Sequence, residues 1–212
     1  VALSGKGVFQ MKKVLSVCTA VLMTSLLLVA CGSKAPQGEM KGKTAPVVAR
    51  GSSASHRVVS FSFILDSRGF SAIKAALVKE IKKAKTSKNK ERVKKLKGIM
   101  RAFKCDPAKT IKAVSVAGPF NGWKPREDRL ASSRTGQYMV YSIKKEWEFS
   151  GEKEEYKFVF ILNAGDDVVK EMVVWVPDPM AAETSSDPYG GKNSLLLIPG
   201  FKASDEKGTK GK

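Results

Sequence analysis

An antiparallel β-sandwich with a basic helical segment between its first and second strands is the fold that this 212-residue sequence predicts. Two observations carry the prediction. Six runs of five to eight apolar or alternating residues are separated by stretches rich in Gly, Pro, Asn and Asp, the pattern of short strands joined by turns. Between the first and second of these runs, from Ser71 to Lys104, apolar residues recur every three or four positions instead, which is the period of a helix. Size and composition agree: 10 Phe, 4 Tyr and 3 Trp can fill one core of moderate size. That aromatic content speaks against disorder throughout, and the chain is short for a (β/α)₈ barrel of roughly 250 residues.

The N-terminal part is expected to be an address rather than a fold. Residues 1–10 precede Met11, where a start is expected, and are set aside as upstream residues. Residues 11–30 read as a secretory signal, with Lys12 and Lys13 ahead of a mostly apolar stretch. Ser16, Thr19, Thr24 and Ser25 interrupt that stretch, which falls short of the roughly 20 apolar residues of a membrane span. Its ending, Leu28-Val29-Ala30-Cys31-Gly32, resembles the lipobox of bacterial lipoproteins. The resemblance implies cleavage before Cys31, acylation of Cys31 with lipid such as palmitate, and anchoring to the extracytoplasmic side of a bacterial membrane in the cell envelope. With Cys18 removed and Cys31 acylated, Cys105 reads as a small, partly buried residue, and no disulfide is expected in the mature chain. Residues 31–57 are rich in Gly, Ser, Ala, Pro and Lys and read as a flexible tether, which at this length spans roughly 25–30 Å.

The folded part is expected over residues 58–200. Its first strand, 58–65, combines β-branched residues with Phe61 and Phe63. A helical segment over 66–110 follows, with Ile73, Leu77, Ile81, Val93, Leu96, Met100 and Phe103 on the apolar face. Thr86-Ser87-Lys88-Asn89 interrupts the pattern, giving either two helices or one with a weak joint. Residues 74–112 carry fifteen of the 38 basic residues against three acidic ones, so most of the net charge of +18 resides there. That charge is either a solvated face over a packed stripe or a contact for anionic lipid or another envelope polyanion. Nucleic acid is not an expected partner of an exported chain. Strands are then expected over 111–117, 138–143, 156–162, 172–176 and 194–198, and a disordered basic tail over 201–212.

A pyranose ring has a face of C–H groups that rests well on a broad, rigid indole, and its hydroxyl edge then needs polar partners. The sequence holds such groups in a recognisable order. Val114-Ser115-Val116-Ala117-Gly118-Pro119-Phe120-Asn121-Gly122-Trp123-Lys124-Pro125 resembles the first signature of the glycogen-recognition domain of AMP-activated protein kinase β subunits and of starch-branching and debranching enzymes, carbohydrate-binding module family 48. Glu155-Tyr156-Lys157-Phe158-Val159, Trp175-Val176-Pro177-Asp178-Pro179 and Asp187-Pro188-Tyr189-Gly190-Gly191-Lys192-Asn193-Ser194-Leu195-Leu196 continue the agreement in the family's order.

This resemblance implies an immunoglobulin-like sandwich, an α-glucan ligand of the glycogen or starch type, and four contact residues: Trp123 and Trp175 for stacking, Lys157 and Asn193 for hydrogen bonding. The helical segment is not a family feature. Trp123, between a turn and Lys-Pro, is expected to be exposed. Trp175 is flanked by Val174 and Val176 and can be either platform or core, and Asn193 can instead serve a turn. Trp147 is expected to pack. The inserted Asn163-Ala164-Gly165-Asp166-Asp167 stretch lengthens a hairpin that could separate Trp175 from Trp123.

Catalysis, metal and cofactor are not expected. His56 is the single histidine and lies in a Ser/Gly-rich stretch. The acidic groups Asp166-Asp167 and Glu152-Lys153-Glu154-Glu155 read as solvated hairpin loops rather than a glycosidase pair facing across a cleft. The alternative function is a protein-interaction or structural module of the envelope that binds no glycan.

Overall fold

The computed structural model describes residues 45–53, 55–165 and 171–200, all within one compact unit of the chain. The expected signal, Cys31, most of the tether, Asp166-Asp167 and the tail from 201 lie outside the described residues.

Part of the stretch that the composition assigned to the tether is strand. Val47–Arg50 (β1) pairs antiparallel with His56–Leu65 (β2), so residues 47–50 are strand rather than tether. Val47 and Val48 suit a strand, and Gly51 N–H closes the turn by donating to the His56 carbonyl at 3.1 Å. After β2 come two helices, Ser67–Thr86 (α1) and Lys90–Cys105 (α2), and a single turn, Pro107–Thr110 (α3). Strands follow at Ile111–Ala117 (β3), Asp128–Arg129 (β4), Ala131–Thr135 (β5), Tyr138–Glu148 (β6), Lys153–Leu162 (β7), Met172–Val176 (β8), Glu183–Ser186 (β9) and Lys192–Leu197 (β10).

These strands form two sheets, and every pairing is antiparallel. The first has the order β1-β2-β6-β5 and rests on a ten-residue ladder from His56↔Glu148 to Leu65↔Met139. The second is built on β7, with β3 and then β4 along one edge. Its other edge is shared: residues 153–156 pair with β10, which carries β9, and residues 158–162 pair with β8.

Alternation along the strands aims one set of aromatics between the sheets. Val59, Phe61, Phe63 and Leu65 of β2 and Tyr156, Phe158, Phe160 and Leu162 of β7 are all buried. Their rings interlock, with centroids 5.0 Å apart for Phe61 and Tyr156, 5.1 Å for Phe63 and Phe158, and 4.8 Å for Phe63 and Phe160. Val159 and Ile161 alternate to the opposite face yet are also buried, on the side where α1 packs against β8.

The helices form because each has a cap and an apolar stripe. Asp66 accepts from the N–H groups of Arg68 and Gly69, both at 3.0 Å, and so starts α1. The weak joint is a full break: Lys88 turns left-handed at φ 54°, and the Asn89 side chain caps α2 by accepting from Arg92 N–H at 2.9 Å. Ile73 and Leu77 of α1 and Leu96, Ile99 and Phe103 of α2 are buried. Phe70 stacks on Phe103 at 4.8 Å, and Arg92 reaches back to Glu80 at 2.8 Å, which holds the pair together.

Cys105, at the end of α2, is half-buried.

Candidate functional site

The turn after β3 is built to present a side chain. Pro119–Asn121 forms a single 3₁₀ turn, and Phe120 is anchored between Trp147 and Phe149, with centroids at 5.4 and 5.8 Å. Asn121 braces the turn from inside. Its Oδ1 accepts from Gly118 N–H at 3.1 Å, and its Nδ2 donates to the Val116 carbonyl at 3.0 Å and to Asp128 at 2.8 Å. Asp128 is buried and also accepts from Lys145 Nζ at 2.7 Å and Trp147 Nε1 at 3.1 Å. Burial pushes the Asp128 carboxyl upward, but the hydrogen bonds from Lys145, Asn121 and Trp147 outweigh it and hold the group below its ordinary value. Trp147 is thus a packed residue, as its position suggested.

Trp123 follows directly, half-buried, with its N–H bonded to the Gly118 carbonyl at 2.8 Å. Its φ of 59° lies in the left-handed region, which costs a non-glycine residue on the order of 1–2 kcal/mol. A tryptophan held in that conformation marks a position where side-chain direction matters more than local comfort.

Trp175 comes from β8. Val174 and Val176 are buried on the core side and Trp175 points outward, 36% exposed, so its apolar neighbours do not make it core. The lengthened hairpin has not separated the two indoles: their centroids are 6.2 Å apart with the planes inclined at 52°. Trp123, Trp175, Lys157 and Asn193 line one cleft of about 610 Å³.

The two polar residues stand differently from a pair of exposed sugar contacts. Lys157 Nζ is bonded to Asp187 at 2.5 Å, and the lysine side chain is 12% exposed. Asn193 is buried, with Nδ2 donating to Glu155 at 2.7 Å. Both therefore order the cleft floor through other residues, and the hydrogen-bonding capacity they offer a ligand is what remains.

Sequence reasoning missed several lining residues. Asp187 organises the loop before β10: its Oδ1 accepts from Tyr189 N–H at 2.7 Å and Gly191 N–H at 2.8 Å. Gly190 sits at φ 72°, and a Cβ on Gly191 would lie 2.3 Å from Asp187 Oδ2, so both glycines are required. Tyr189 lines the cleft at the tip of this loop, 83% exposed. Glu155 is not part of the solvated loop that its acidic neighbours suggest. It lies in β7, lines the cleft and is bonded to Ser185 and Asn193, while its neighbour Glu154 is buried against Ser150. The strand starts three residues earlier than its apolar run because β10 pairs with that polar end. The opposite wall of the cleft is α1, through Ala76, Lys79, Glu80 and Lys83. These residues recur at helical spacing on one face of α1, but no sequence signal tells which part of the sheet that face meets.

The hydrogen bond from Lys157 holds the Asp187 carboxyl down at about 2, against a smaller opposing effect of burial. A folded-state value below the unfolded one means that the pair stabilises the fold above about pH 4 and that this contribution is lost as pH falls toward 2. Denaturant titrations at pH 5 and pH 2.5 should therefore show a larger loss of stability for the wild type than for Asp187→Asn. Equal losses would contradict the assignment.

Among the described residues no group of three His, Cys, Asp or Glu side chains is placed to hold a metal ion, and no helix is long and apolar enough to cross a membrane. Searched against protein-family models, curated proteins and solved structures, the chain matches none.

Proposed function

We propose that this chain is an envelope lipoprotein whose folded part is a non-catalytic carbohydrate-binding module, of the immunoglobulin-like family 48 type, that holds α-glucan chains against Trp123 and Trp175. The observation that carries the reading is the pair of indoles opening on a single cleft, 6.2 Å apart and inclined to one another. Tilted planes suit a helical glucan, whose successive rings turn as the chain advances. Stacking needs no charge and no cofactor, only flat apolar faces that are already in place. Lys157 and Asn193 support the platform chiefly by fixing Asp187 and Glu155, and Lys157 keeps two further N–H donors for sugar hydroxyls. The helices between β2 and β3 are an insertion relative to the family pattern.

Co-sedimentation with glycogen tests this reading. The folded protein is expected in the pellet, released by soluble maltoheptaose, and a protein that stays in the supernatant contradicts it.

Anchoring has its own test. Labelled palmitate is expected to enter the wild type but not Cys31→Ser, and equal labelling contradicts acylation at Cys31.

A further inference from the structure

We propose that the cleft continues along α1 as a basic subsite, and that the preferred ligand is an anionic α-glucan carrying phosphate esters. The inference rests on the glucan reading above and adds the chemistry that the helix brings to it. A second groove, of about 430 Å³, adjoins the first and is lined by Lys79, Lys82, Lys83, Thr86 and Ser87. Lys79 and Lys83 line both, so the two hollows are one surface. Positions 79, 82, 83 and 86 follow the three-and-four spacing of one helix stripe, so the ammonium groups emerge side by side.

The charges in the two parts differ. In the tryptophan cleft each carboxylate is engaged: Glu80 by Lys83 and Arg92, Glu155 by Ser185 and Asn193, Asp187 by Lys157. The groove is lined by three lysines, of which Lys83 also pairs with Glu80 at 3.4 Å. Lys79 donates to the carbonyl of Gly190 at 3.1 Å, which fixes its ammonium at the junction of the two hollows. A chain leaving the indoles along the helix would pass Lys79, Lys82 and Lys83 in turn, and a phosphate there would form charge-assisted hydrogen bonds. An anionic bilayer is the other surface these lysines could meet. Continuity of the lysine stripe with the aromatic cleft favours a polymer lying along both over a sheet of headgroups.

The test compares a phosphate-esterified amylopectin with the same polymer after phosphatase treatment, using affinity gels at low and high salt. The wild type is expected to bind the phosphorylated form about tenfold more tightly at low salt, and the preference should fade as salt screens the exposed lysines. K79A/K82A/K83A should bind both forms alike. Alanine is a good helix former, so α1 is expected to persist. K82A/K83A, which keeps the Lys79 contact with the loop, should lose most of the preference and guards against a disturbed loop. A wild type without preference, or a triple variant that keeps it, overturns the basic subsite while leaving the platform standing. Retention of neither polymer overturns both. Lysine-dependent binding to phosphatidylglycerol vesicles without a preference among the glucans overturns the subsite in favour of a membrane contact.

Discussion

Trp175→Ala is expected to weaken retention on glycogen about thirtyfold while leaving the protein folded. Truncation of a central aromatic contact typically costs about 2 kcal/mol or more, which is near thirtyfold in affinity. The position suits the test because Trp175 points outward from β8, while the buried neighbours Val174 and Val176 hold the strand to the core. Trp123→Ala should give a loss of similar size, since alanine keeps the left-handed backbone that the turn imposes. Affinity gels give the retention, and a thermal unfolding curve shows that the variant is folded. A folded Trp175→Ala that binds like the wild type would rule out this surface as the site.

The largest expected effect on stability comes from Asp128. Asp128→Ala removes the acceptor shared by Asn121, Lys145 and Trp147, and leaves the buried indole N–H without a partner. Abandoned buried donors cost about 1–3 kcal/mol each. Lys145 is half exposed and can turn to water, so the total is expected near 3 kcal/mol. For a domain of this size that is roughly 6–12 °C in Tm. Asp128→Asn keeps one oxygen acceptor and should fall between the two. Because Asn121 braces the turn that ends in Trp123, Asp128→Ala should also weaken glycogen retention in the fraction that stays folded. A Tm within 1 °C of wild type would show that the network does not carry the turn.

The parts of this protein that could be read from sequence are those where one local rule dominates. Runs with uniform β character, 111–117 and 172–176, coincide with β3 and β8 to the residue. The helices, their break near Asn89 and the packing role of Trp147 follow from period, turn residues and context. What escaped depends on partners distant in the chain. β5, Ala131–Thr135, is exposed throughout and exists because β6 offers its edge, and β1, β4 and β9 are likewise short strands added to an edge. The four residues singled out for glucan contact do line one cleft, but Lys157 and Asn193 are engaged by Asp187 and Glu155. Those partners lie 30 and 38 residues away, beyond what periodicity can see. The wall supplied by α1 is the clearest case: spacing defines its faces, and only the packed tertiary structure brings Lys79 to Gly190.

The most direct measurement is a titration of the three indole N–H resonances with maltoheptaose in a ¹⁵N-labelled protein. The account predicts that the signals of Trp123 and Trp175 shift together and saturate, while that of Trp147, bonded to Asp128 in the interior, stays in place. If all three remain unmoved at saturating sugar, or if Trp147 alone responds, the two outward indoles are not a glucan platform.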